Sequence, residues 1–220
     1  NDAQIKTDGS NAPNILKNDQ ISINADGTLT GAGTGQVSAE GIGANTLKLL
    51  SSGGKTVTLT GNKVAIGTGG TQNSWETQVY SMDGYDAAQV SFVVDQTATY
   101  AMVGINATPN TDISPTNTAE DYHHLDFAWY VENEILQVRK DGSQVSGTSN
   151  IGYSTGDKLT ITYDGINARY YQNGSLRATV AAEKTGPFHF DSSWYKRERS
   201  ISQVQFGPFA LNTVDAAPDG

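Results

Sequence analysis

Hydrolysis of a glycosidic bond needs two carboxylates facing each other across a cleft, roughly 5–5.5 Å apart for retention and 6.5–9.5 Å for inversion. The nearest arrangement in this chain is Glu132-Asn133-Glu134, set between Trp129-Tyr130-Val131 and Ile135-Leu136-Gln137-Val138. Two acids between apolar stretches read as a hairpin turn with solvated carboxylates. A serine nucleophile would need an elbow of the G-x-S-x-G type, which is absent, and only three His are available. The sequence therefore names no catalytic residue, and the chain reads as a non-enzyme.

A metal would have to use His123-His124 with Asp121 and Asp126, near the end of a polar stretch from Ala107 to Tyr122. Adjacent strand residues point to opposite faces, so the two imidazoles do not converge on one ion. Asp112, Asn117, Glu120 and Asp121 could supply oxygens of the kind calcium takes. The stretch reads more simply as a polar loop, with no metal site and no cofactor. A structureless segment of that length in a compact domain is often functional. Pro109 and Pro115 stiffen it, and Asp112, Asn117, Asp121 and His123 are its candidates for gripping sugar hydroxyls. The second candidate is Phe188 to Arg199, where Trp194 and Tyr195 could stack on a pyranose while Arg197 binds its polar groups. Phe188, Phe190, Trp75 and Trp129 are assigned to the core.

The elements that must carry these residues are strands. Val90, Phe92 and Val94 alternate, Tyr100 to Ile105 reads as an interior strand, and Leu125, Phe127, Trp129 and Val131 share a face. From Lys158 to Val180, three alternating runs are separated by Asp164-Gly165 and Asn173-Gly174, which is a β-meander. A last strand runs from Ile201 to Leu211, with Gly207-Pro208 expected at a bulge or a sheet edge. The fold class is all-β, a two-sheet antiparallel jelly roll.

Composition divides the chain. All 19 aromatic residues (3 Trp, 10 Tyr, 6 Phe) lie from Trp75 onward, while 13 of the 24 Gly lie in the first 70 residues. Without aromatic area a segment struggles to build its own core. Residues 1–54, with a small hairpin at Ile21 to Thr30, are expected to form a Gly/Ser/Thr-rich stalk buried by other copies of the chain, or else a linker; residues 55–220 form the sandwich. Asn1 without an initiator Met reads as the start of a fragment or a processed product. The net charge of −9 opposes any grip on nucleic acid or an anionic membrane, and no apolar run approaches the roughly 20 residues of a membrane span.

Three sets of residues carry a resemblance. The run Asn62-Lys63-Val64-Ala65, Gly70 to Glu76, Tyr80-Ser81 and Val90-Ser91-Phe92 resembles the start of the concanavalin A-like (lectin/glucanase) domains of bacteriophage tail fibre proteins. Gly104 to Asp112, Leu125 to Tyr130, and Leu159 to Asp164-Gly165 with Arg169 to Gly174 are similar to later motifs of that family. Ile23 to Gly33 is similar to a spacer that precedes such domains. The glucanases of this family carry E-x-D-x-x-E or E-x-D-x-E along one strand, which Glu132-Asn133-Glu134 does not match. The resemblance implies a receptor-binding jelly roll on the virion, a homotrimer joined to upstream tail proteins, that recognises host-surface polysaccharide or lipopolysaccharide without cleaving it. Two other readings stay open, a trimerisation or spacer module of a phage tail, and a bacterial adhesin or carbohydrate-binding module.

Overall fold

The computed structural model describes residues 22–23, 29–30, 39–51, 54–110, 125–182 and 184–209. β1 (Ser22–Ile23) and β2 (Leu29–Thr30) pair antiparallel, Ser22 with Thr30 and Ile23 with Leu29, in the stretch where the sequence places a hairpin. The remaining strands make two antiparallel sheets that enclose one core.

Sheet I runs β12 (Ser143–Gln144), β11 (Ile135–Lys140), β10 (Phe127–Asn133), β9 (Ala98–Asn106), β17 (Phe188–Lys196), β7 (Asn73–Tyr85) and β4 (Leu47–Ser51), with β13 (Ile151–Gly152) also paired to β11. Sheet II runs β16 (Ser175–Ala181), β15 (Asn167–Gln172), β14 (Lys158–Tyr163), β8 (Ala88–Val94), β18 (Arg199–Pro208), β6 (Lys63–Ile66) and β5 (Val57–Thr60), with β3 (Glu40–Gly41) paired to β18.

The meander forms where its turns allow it. Asp164 Oδ1 accepts the amides of Ile166 and Asn167 at 2.9 and 2.7 Å, and Gly165 and Gly174 take φ of 92° and 78°. Alternation then sends Leu159, Ile161 and Tyr163 inward against Phe127, Trp129 and Val131 of sheet I, all without exposed surface. Trp129 meets Tyr170 edge-on at 5.4 Å, and Tyr163 stacks on Phe127 at 5.2 Å. Polar tips are satisfied across the sandwich: Trp129 Nε1 donates to Thr160 O at 3.3 Å, and the Tyr170 hydroxyl donates to Arg139 O at 2.8 Å.

Two details differ from the sequence reading. The sandwich takes in residues that composition groups with the stalk: β3 and β4 join sheets II and I, and Ile42 lies in the core with no exposed surface. Aliphatic residues do there what aromatic ones do elsewhere. Phe188 to Lys196 is a strand between β9 and β7, and both its faces are buried, so Asp191-Ser192-Ser193 interrupts the expected alternation. β18 lies between β8 and β6, but β6 reaches only Arg199 to Ile201 and β3 only Gln205 and Phe206, so among the described residues Gly207-Pro208 pairs with β8 alone, the local edge expected for Pro208.

Candidate functional site

Outward positions of sheet I assemble aromatic residues from four strands. Trp75 of β7 lies 5.3 Å from the Tyr195 ring of β17 and 6.2 Å from the Tyr130 ring of β10, and Tyr195 lies 6.3 Å from Tyr100 of β9. All four are half-buried. Beneath them Met102, Leu125 and Ala128 form a second apolar cluster with no exposed surface. Leu125 thus packs on the outer face, apart from Phe127, Trp129 and Val131 in the main core. Two cations sit on the rings, Lys196 Nζ at 3.8 Å from the Tyr100 centroid and Arg139 Cζ at 5.5 Å from that of Tyr130. Burial, then the neighbouring Glu132 carboxylate, pushes the Tyr130 phenol up, so it stays a neutral donor and acceptor at physiological pH.

Trp75 reaches this face through a break in register. Thr77 pairs with Trp194 and Asn73 with Lys196, so Ser74, Trp75 and Glu76 stand opposite Tyr195 alone. Lys55, 3% exposed, answers the irregularity by donating from Nζ to Ser74 O at 2.6 Å and Tyr195 O at 3.1 Å. Its ammonium is also 3.7 Å from Glu76 Oε2. Burial lowers the Lys55 pKa against the opposing pull of Glu76. For Glu76 burial acts upward, but hydrogen bonds from Thr71 and the Lys55 charge outweigh it and hold the carboxyl below its usual range.

Farther along the same face lies a polar network. Gln78 Nε2 donates to both Asp191 carboxylate oxygens at 3.0 and 3.1 Å, and Asn106 Nδ2 donates to Oδ2 at 2.9 Å, all three residues without exposed surface. At the rim, Ala107 N donates to Asp126 Oδ2 at 2.8 Å, and the Lys184 ammonium bridges Asp126 and Asp141. These bonds fix Asn106 and Asp126 on the two sides of the polar stretch singled out in the sequence.

Of the candidate residues, Tyr195 belongs to the aromatic cluster. Trp194 does not: it is wholly buried between the sheets, its Nε1 donating to Ser192 Oγ at 3.0 Å, so it has no face to offer a ligand. Arg197 lies beyond the end of β17 with Nε 3.9 Å from Glu198 Oε2, and the cations on the rings are Lys196 and Arg139 instead. Asp112, Asn117, Asp121 and His123 lie outside the described residues. Glu132 accepts from Gln137 Nε2 at 2.9 Å, and Glu134, at φ 58°, forms the β10–β11 turn. Among the described residues no group of three or more His, Asp or Glu could hold a metal ion. Sequence reasoning missed Trp75, Tyr100, Tyr130, Arg139 and Lys196. The outward parity of Tyr130 between Trp129 and Val131 was a legible signal; the bulge that turns Trp75 outward was not.

No protein-family model and no curated protein matches the sequence. Solved structures match the fold. The Emp47p carbohydrate recognition domain superposes with a TM-score of 0.50 at 11% identity, over 77% of this chain and 93% of that one. The fold these structures share with the chain is a two-sheet antiparallel jelly roll. The VIP36 exoplasmic/lumenal domain in its Ca2+/Man-bound form gives 0.51 at 9% identity over 80% and 89% of the two chains. The TRIM65 PSpry domain gives 0.50 at 14% identity over 71% and 88%.

Proposed function

We propose that this jelly roll is the receptor-binding part of a bacteriophage tail fibre and binds host-surface glycan, polysaccharide or lipopolysaccharide, without cleaving it. The observation that carries the reading is the aromatic platform on the outer face of sheet I, where Trp75, Tyr195, Tyr130 and Tyr100 surround a packed floor with Arg139 and Lys196 on the rings. Aromatic faces stack on the C–H faces of pyranoses, while charged and amide side chains at the rim bond their hydroxyls. Two structural neighbours support the sugar assignment by their names, a carbohydrate recognition domain and a domain solved in a Ca2+/Man-bound form. The tail-fibre context rests on the motif resemblance. In this reading residues 1–38 contribute a stalk to a homotrimer attached to upstream tail proteins on the extracellular virion.

Glycan-array binding of the full chain tests it. The wild type binds a defined set of glycans, and Trp75→Ala and Tyr195→Ala each lose that signal while keeping the wild-type circular dichroism spectrum. A wild type that stays blank across bacterial surface glycans overturns the reading in favour of a spacer module.

A further inference from the structure

The outer face of sheet II holds a cavity of about 460 Å³ lined by Thr60, Asn62, Lys63, Lys158, Gln203 and Gln205. It is built on an irregularity. Ser202 pairs with Val93 but Gln205 with Ser91, so β18 carries one extra residue here. Gln203 takes φ of 49°, in the left-handed region that residues with a side chain rarely adopt, and the amide of Val204 donates to Asn62 O at 2.9 Å. Such strain is held only where the surrounding structure enforces it, and it concentrates at functional sites.

The lining is rich in donors. Ser91 Oγ donates to Gln205 Oε1 at 3.3 Å, which leaves the Gln205 NH2 group to donate elsewhere. Lys63 Nζ lies 3.0 Å from Asp95 Oδ2, yet its side chain is 48% exposed and keeps donors for a ligand. Asp95 is already engaged by the hydroxyls of Ser200 and Ser202 at 2.5 and 2.6 Å. None of the salt bridges among the described residues involves Lys158. Two ammonium groups against one engaged carboxylate make a locally cationic cleft on a chain whose net charge is −9. We propose that this cleft binds an acidic saccharide unit, with the carboxylate on Lys63 and Lys158 and ring hydroxyls on Gln203, Gln205, Asn62 and Thr60. It is separate from the aromatic platform, which lies on the other sheet, and it supplies the local attraction for acidic glycans that the overall charge denies.

The test is amide chemical-shift titration of the full chain with methyl β-D-glucuronide, methyl β-D-glucoside and inorganic phosphate. The glucuronide is expected to shift resonances of residues 60–63, 158 and 203–205, and the glucoside and phosphate to shift them much less. Lys158→Gln weakens glucuronide binding about tenfold, the loss of one charge-assisted hydrogen bond, and Trp75→Ala leaves it unchanged. No shift with the glucuronide, an equal response to the glucoside, or an equal response to phosphate overturns the proposal. Because Trp75→Ala removes only the sheet I site, failure there and failure here are read separately.

Discussion

Trp75 and Trp194 come from neighbouring strands of one sheet, and they do opposite jobs. Trp194 fills the core with no exposed surface, whereas Trp75 is half-buried on the outer face over Met102 and Ala128. Substitution separates them. Trp194→Ala leaves a large void between the sheets beside Thr77 and is expected to cost about 3–5 kcal/mol in urea unfolding. Trp75→Ala costs less than half of that and removes glycan binding instead. If both variants lost only stability, the outer face would be a packing surface and not a site. The sequence reading placed the two the other way round: alternation put Trp75 in the core, but alternation is counted through an uninterrupted strand and β7 is interrupted at Ser74 to Glu76, while Trp194 was offered to a ligand for its neighbours, Tyr195 and the basic run to Arg199.

At the scale of elements, what was legible followed from local rules. The meander from β14 to β16 and the inward face of β8 depend on turn dipeptides and period-2 patterning; the strands pair as read, though Ile166 and Leu176, counted in the apolar alternation, are exposed beside the turns. β17 was not legible as a strand, since burial on both faces replaces alternation with the polar run Asp191-Ser192-Ser193. Nor was the role of Lys55, which lies far in sequence from Tyr195 and acts only after the fold brings them together. Lys55→Met strips the Ser74 and Tyr195 carbonyls of their donor and leaves Glu76 without its cation, at an expected cost of about 3 kcal/mol. Glycan binding falls with it because Trp75 loses its fixed placement. The pH dependence identifies the cause. Burial sets the folded pKa of Lys55 below the ordinary 10.5, so between the two values the unfolded chain holds a proton that the folded chain has released. Stability from this group therefore rises with pH across that interval, and the Met variant loses the rise in urea midpoints measured through it.

For the whole molecule, charge and valency decide how two faces are used. Asp95, Asp157 and Asp164 are each pushed up by burial and pulled further down by hydrogen bonds: from Ser200 and Ser202 and Lys63 for Asp95, from Asn173 and Gln172 for Asp157, and from Arg169 and two backbone amides for Asp164. Folded values below the ordinary 3.8 mean a stabilisation that is complete above that pH and is lost as pH falls through the folded values. Urea midpoints are expected to hold level from neutrality to about pH 4 and drop below it, and Asp164→Asn removes part of the drop. The proposed trimer would add valency to binding. In it a shallow aromatic platform would hold a single glycan weakly, and three copies on one stalk would convert the second and third contacts into intramolecular ones, a gain of about 10²–10⁴ in avidity when the spacing fits. The sandwich has its own core from Ile42 onward, so a chain lacking residues 1–38 is expected to fold as a monomer with unchanged affinity for a soluble glycan. On a surface densely coated with that glycan the full chain dissociates at least a hundredfold more slowly than the truncated one. Equal dissociation rates, with the full chain sedimenting as a single copy, would remove the stalk from the mechanism and leave a monovalent lectin-like domain.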